Sequence, residues 1–504
     1  MATSRTQAAI KNMRSALISK AVSLMVKFAL RTVFVYNLSS IYLGIDSLLS
    51  GILMVLSLAD LGLDIALPSR LYALLKEQDF ANIKRYMDFY KKVYIWISGT
   101  TLLLGVIIYP LLPYVIHQDG LIENLTEIYA LYVINAAISY ICAYKRTLMI
   151  ADQKGYVVNN IVCIMQVMMA LCQAVALIIW HSFIGYLMLA ILLNLCQNIY
   201  ISKVCTEEYP QLYNYSCSQI SRDEVRKLGK DVLALFVYRV ATILEVSIAA
   251  ILGSYFVGVY LLGLVSNYSL IIQSLAGVLM LVFSSITAGI GSAIVSKDND
   301  EVYKLYRALN LGTAWVYGIV SICLYGLLQE FITVCWLKKE FIIDNNIILA
   351  MIIAFYVVGS QNMNSTFRNA YGLFWEARHR PFLMIFTNLF FSYVLGEYYG
   401  MAGIYWGIAI SRVLSVGIMD PYIVHKYGLK KSALSYHSEY FKYFFVMLVL
   451  LALTHLLSKY LLVTSFYMWV AKATLLFMGL NAIYYTIFCK NINMSYLLER
   501  RKGI

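Results

Sequence analysis

Apolar stretches of about twenty residues recur roughly fourteen times along the sequence, separated by short polar segments. An α-helix rises about 1.5 Å per residue, so each stretch is long enough to cross the hydrocarbon core of a bilayer. Inside that core every backbone N–H and C=O must find a partner within its own segment, which makes these stretches helices. The runs are continuous rather than alternating, unlike the strands of a membrane barrel. With 61% hydrophobic and 13% charged residues in 504, the chain is not a soluble globule. The expected class is an all-α polytopic membrane protein of about fourteen spans. They fall at 14–37, 44–67, 92–116, 126–148, 156–180, 184–202, 231–252, 257–290, 309–335, 345–366, 381–398, 401–421, 441–459 and 464–488.

Placing the N-terminus inside puts nearly all loop Lys and Arg on one side, from Arg5, Lys11 and Arg14 to Arg500, Arg501 and Lys502. The opposite loops offer Lys338, Lys339 and Lys459. A bias of about ten to one is a positive-inside signal with both termini cytoplasmic. The net charge of +13 is therefore read as topology, and no nucleic-acid partner is expected. The first apolar stretch carries cations and lacks a small-residue cleavage site, so it reads as an uncleaved first span. The outer connections at 38–44, 181–184, 253–257 and 398–401 are very short. The nine cysteines follow no metal or disulfide spacing and read as small core residues.

The largest inner segment, 203–230, holds Ser221-Arg222-Asp223-Glu224, a capping box that predicts a helix start. It separates an expected six-span lobe, 1–202, from a second, 231–426, with two further spans and a basic tail at 427–504. A short echo, Tyr42-Leu43-Gly44-Ile45 against Phe256-Val257-Gly258-Val259, supports an internal repeat.

Lys27 and Arg31 lie 7 and 11 residues beyond Lys20, so all three fall within an arc of roughly 40° on a helix. A charge near the bilayer centre costs about 3 kcal/mol, so three on one face point to a hydrated interior. The competing account is ion pairing, with Lys20 and Arg31 snorkelling to opposite interfaces. Further intramembrane charges are Arg239, Glu245, Arg412 and Lys472, with Asp60 and Asp64 one turn apart. Asp60, Asp64, Glu245 and Lys472 serve either as charge compensation or as a proton- or cation-coupling site. Positive charge prevails, so the path should attract phosphate or carboxylate groups, which Arg forks match bidentately. Gln166 with Gln173, and Asn194 with Asn198, share helix faces and are expected to link helices. His181 and His455 sit near outer ends as packing or surface residues, and Asp420-Pro421 looks like a helix stop. The basic segment Lys84 to Lys92 is expected at the inner membrane surface, anchored by Tyr86, Phe89, Tyr90, Tyr94 and Trp96.

Phe367-Arg368-Asn369-Ala370-Tyr371-Gly372-Leu373-Phe374-Trp375-Glu376, then Arg380-Pro381, Asn388-Leu389, Gly400-Met401-Ala402-Gly403-Ile404 and Pro421-Tyr422, form a recognisable set of words. So do Ser4-Arg5-Thr6, Arg31-Thr32, Tyr42-Leu43-Gly44-Ile45 and Leu58-Ala59-Asp60-Leu61-Gly62. The chain resembles the O-antigen and capsule repeat-unit flippases of the multidrug/oligosaccharidyl-lipid/polysaccharide superfamily. The resemblance implies two six-helix bundles around a central cationic cavity, two appended helices and alternating access in a bacterial cytoplasmic membrane. The implied substrate is an oligosaccharide on an undecaprenyl pyrophosphate carrier. Membrane lipids, a polysaccharide polymerase and glycosyltransferases are the implied partners. No cofactor or metal is expected, and no enzyme activity. Lys20, Lys27, Arg31, Arg239 and Arg412 would line the pyrophosphate and sugar path. The alternatives are a multidrug or small-solute antiporter of the same superfamily, and a membrane glycosyltransferase or polymerase, which would need a large catalytic loop.

Overall fold

A computed structural model describes residues 5–57, 71–72, 74–116, 122–215, 220–337, 339–458, 460–461, 463–491, 493–494 and 496. All regular secondary structure among them is helical. The long helices are α1 (Arg5–Asn37), α2 (Ser40–Leu56), α3 (Phe80–Ile108), α4 (Leu125–Ser139), α5 (Ala143–Ala151), α6 (Gly155–Trp180) and α7 (Phe183–Glu208). They continue as α8 (Arg222–Ser296), α9 (Asn299–Glu330), α10 (Asn345–Ser360), α11 (Asn362–Ala370), α12 (Arg380–Arg412), α13 (Leu434–Ser458) and α14 (Phe466–Phe488). Among the described residues nine helical runs are long and apolar enough to cross a membrane. Two of them, Val240–Ser296 and Arg380–Leu429, run to 57 and 50 residues, more than twice the ~20 residues that one crossing needs. The bent pair of α4 and α5 adds a crossing, as do α1, whose cations depress its hydropathy, and α2. The chain is thus an all-α polytopic membrane protein with about fourteen spans.

Helix starts follow local chemistry. Ser39, Asp79, Ser182 and Ser465 each accept a hydrogen bond from a first-turn N–H. The expected capping box is present: Ser221 Oγ accepts from Glu224 N at 3.3 Å, and Glu224 Oε2 accepts from Ser221 N at 3.1 Å. Hydrogen bonds from Ser221 and the nearby Arg85 guanidinium hold the Glu224 carboxyl below the usual range.

Several expectations change. The segments 253–257 and 398–401 are not loops. Helix runs through both, broken at Gly258 (φ 79°, ψ 166°) and Gly400 (φ 55°, ψ −134°). Only glycine takes such angles without a Cβ clash, so one residue turns the chain. Asp420-Pro421 is not a stop either. The chain continues from α12 through a π-helical turn (Val413–Gly417), a short helix (Ile418–Ile423) and a second π-helical turn (Val424–Leu429). Tyr90 and Tyr94 are core residues rather than anchors, whereas Trp96 is exposed. Among the described cysteines only Cys205 is buried; Cys196 is exposed and the others half-buried.

Two compact units result, Met1–Gly263 and Leu264–Ile504. In the first, α6 packs between α1 and α7, and α4 joins α7 to α3. Its core at the α3 start comprises Met87, Tyr90, Tyr94, Leu148 and Tyr209. In the second, α10 is buried along most of its length, and α13 and α14 pack on α9. Its core gathers Tyr306, Met363, Phe367, Val424 and Tyr436.

Candidate functional site

The cationic stripe of α1 leads into a cavity of about 530 Å³ inside the first unit. Lys27 and Arg146 stand on its wall, and neither has an ion-pair partner among the described residues. Arg31 lies 3.6 Å from the Asp46 carboxylate on α2, and Tyr132 on α4 donates a short hydrogen bond to the same carboxylate. The wall's one acid is therefore taken up by Arg31, and Lys27 with Arg146 leaves the cavity a positive excess.

Amides and phenols supply the rest of its polar wall. Gln173 Nε2 donates to the Tyr186 carbonyl at 3.2 Å, and Asn194 Nδ2 donates to Asn135 Oδ1 at 3.1 Å. Asn198 Nδ2 donates to the Ile138 carbonyl at 3.1 Å. These bonds link α6 to α7 and α7 to α4, as expected. Gln166 and Gln173 also hold buried Oε1 atoms with no protein partner, and both residues face the cavity. A buried acceptor left empty is costly, so such atoms mark a place for a ligand or water. Phe34 and Tyr186 meet edge to face at 5.5 Å beside Phe183, near the α1 C-terminus.

The residues singled out from sequence are spread over the molecule. Lys27 lines the cavity and Arg31 pairs with Asp46 on its wall without lining it, whereas Lys20 is exposed on α1 and does not line it. The Arg239 side chain, and Asp60 and Asp64 entirely, lie outside the described residues. Glu245 is half-buried on α8. Arg412 belongs to the second unit, with Nη1 3.3 Å from the Met384 sulfur. Asp46 escaped notice, although an Asp inside Gly44-Ile45-Asp46-Ser47-Leu48 is itself an intramembrane charge.

Lys472 is neutralised in place: Nζ lies 2.7 Å from Glu330 Oε1, at the end of α9, and is 4% exposed. Tyr325 shares a hydrogen bond of 2.9 Å with His455 Nδ1, so that histidine ties α13 to α9. Trp469 Nε1 donates to the Leu327 carbonyl at 3.1 Å. These contacts fasten the last two spans to the second unit. Lys472→Met is expected to lower the melting temperature by several degrees, about 1–3 kcal/mol for the carboxylate left behind. Water reaching Glu330, which is 25% exposed, limits the loss. A melt unchanged to within a degree would show that the pair contributes nothing.

A second charged cluster is fully enclosed. Asp420 is 0% exposed and accepts from Ser365 Oγ at 2.7 Å. Its other oxygen lies 3.1 Å from Arg368 Nη1 and 3.5 Å from Arg380 Nε. Among the described residues no three His, Cys, Asp or Glu side chains gather as metal ligands would.

No protein-family model matches the sequence, and no curated protein matches it. Solved structures do. A lipid II flippase, MurJ, in an inward closed conformation superposes with a TM-score of 0.66 at 13% identity, over 95% of this chain and 100% of that one. A Vibrio cholerae MATE transporter, VcmN, gives 0.56 at 14% identity, over 84% of this chain and 98% of its own. An inward-facing multidrug resistance MATE family transporter of the MOP superfamily gives 0.57 at 13% identity, over 84% and 99%. At such identities the likeness establishes the fold: over 84–95% of its length this chain is folded like transporters of the MOP superfamily.

Proposed function

We propose that the chain is a flippase for oligosaccharides carried on undecaprenyl pyrophosphate, moving them from the inner to the outer leaflet of a bacterial cytoplasmic membrane. The observation that carries this reading is the cavity of the first unit, cationic through Lys27 and Arg146, with amides and phenols set among apolar side chains and its one acid, Asp46, already paired with Arg31. Ammonium and guanidinium groups suit a pyrophosphate. Amide and phenol groups, with two acceptors unfilled, suit sugar hydroxyls. The end-to-end fold likeness to a lipid II flippase supports the same substrate class. The lobes 1–202 and 231–426 would alternate access, Arg239 and Arg412 would extend the path, and a polymerase and glycosyltransferases would act before and after it.

The MATE likeness favours a second reading, a cation-coupled antiporter of small solutes. Asp46 is the carboxylate such a reading would use, yet Arg31 and Tyr132 already engage it.

Reconstitution decides between them. Proteoliposomes holding a labelled undecaprenyl-pyrophosphate oligosaccharide should expose it to an impermeant lectin faster than empty vesicles. Lys27→Ala with Arg31→Ala should slow exposure about tenfold or more, the loss of roughly one charge-assisted contact to the anion. Exposure no faster than in empty vesicles would end the flippase reading, and an unimpaired double variant would remove the cavity from the path.

A further inference from the structure

A second, smaller cavity of about 260 Å³ opens where α3, α5 and α7 meet, away from the one described above. Its walls carry Lys84, Lys91 and Lys145 against a single acid, Asp88. Lys84 uses that acid, with Nζ 2.7 Å from Asp88 Oδ1. Lys145 is held by neutral acceptors, Thr206 Oγ1 at 2.8 Å and the Ser202 carbonyl at 3.4 Å. An ammonium has three N–H donors, so Lys145 keeps one for the cavity, and it forms no ion pair among the described residues. Lys91 is exposed and has no partner among the described residues. The floor is apolar, formed by buried Met87, Leu148 and Leu212.

The position of this cavity narrows what it takes. Five residues beyond Lys91, Trp96 is 77% exposed, next to Ile95 at 61%. Trp and Ile turned outward on a spanning helix mark where the bilayer interface gives way to acyl chains. Lys91 therefore lies about 7.5 Å along the axis from that level, at headgroup height. The volume is below the ~300–1,000 Å³ of sites that enclose drug-sized ligands, so a single small anionic group is the fitting occupant.

We infer that this cavity binds a phosphate group, and that its position at headgroup height makes the source an anionic phospholipid of the inner leaflet. The ammonium groups over an apolar floor receive the phosphodiester, while the acyl chains stay in the bilayer beside α3. Each free lysine near a membrane surface contributes about fivefold in affinity for an anionic headgroup.

Native mass spectrometry of the full chain in detergent tests this with phosphatidylglycerol, phosphatidylcholine and inorganic phosphate as probes. Retention of phosphatidylglycerol over phosphatidylcholine is expected, weakened about fivefold in Lys91→Gln and further in Lys84→Gln/Lys91→Gln. Lys91 is exposed, so its variant keeps the fold, and an unchanged melting profile without lipid checks this. Equal retention of the two lipids, or no change in either variant, would overturn the site. Inorganic phosphate displacing phosphatidylglycerol at equal concentration would overturn the lipid source and leave a soluble anion as occupant.

Discussion

Replacing Asp420 with alanine is expected to unfold the second unit roughly 6–20 °C below the native chain. Two guanidinium groups, Arg368 at 2% and Arg380 at 6% exposure, would then be left buried around an empty position. Removing one partner of a buried ion pair costs about 3–5 kcal/mol, because the remaining charge cannot recover its hydration. For a unit of this size each kcal/mol moves the midpoint by about 2–4 °C. The carboxylate also joins three parts of the chain: Ser365 and Arg368 on α11, Arg380 at the start of α12, and its own short helix. Asp420→Asn keeps an acceptor for Ser365 and should lose less. Thermal melts of the purified chain measure both. An alanine variant melting within two or three degrees of the parent would show that water reaches Arg368 and Arg380 after all.

The second large effect is expected at Gly44, where a side chain has nowhere to go. A Cβ there would stand 1.7 Å from the Val259 carbonyl oxygen and 2.6 Å from its carbon. A Cβ on Gly263 would meet the Ser40 carbonyl oxygen at 2.2 Å and Gly44 N at 2.9 Å. Backbone faces backbone at both points, so no rotamer change relieves the overlap. Glycines at helix crossings serve this purpose in membranes, where close approach replaces the hydrophobic effect as the attraction between helices. Gly44→Leu should therefore part α2 from α8 and cost more than the ~1–3 kcal/mol of an overpacked core. On the proposed flippase reading, transport should be lost with it, since α2 and α8 can no longer pack together. Gly99→Ala is the control: nothing lies within 4 Å of its Cβ, and the change should be neutral or stabilising. A Gly44→Leu chain that melts and transports like the parent would mean that this contact is dispensable.

The echo between Tyr42-Leu43-Gly44-Ile45 and Phe256-Val257-Gly258-Val259 illustrates how far the chain could be read in advance. As a sequence pattern it suggested a repeat. In space the two words pack on each other, Gly44 against Val259, and Gly258 is the residue that breaks α8. Hydropathy marks both sides of such a break as apolar, so it locates the crossings but not the single residue that turns them. The charged residues behave alike. Lys27, Arg31 and Lys472 stand out because a cation inside an apolar run is rare. The partners of Arg31 and Lys472, Asp46 and Glu330, lie on other helices, at separations no helical period connects.

Composition and periodicity by themselves determined a helical membrane protein of about fourteen spans, because hydrocarbon leaves a backbone no other way to satisfy its polar groups. They also marked the cationic face of α1. Only the tertiary structure decided which charges are neutralised and which stand without an ion-pair partner among the described residues. A side chain's electrostatic fate depends on what stands within a few ångströms of it. In a bundle, those neighbours come from helices far apart in the chain.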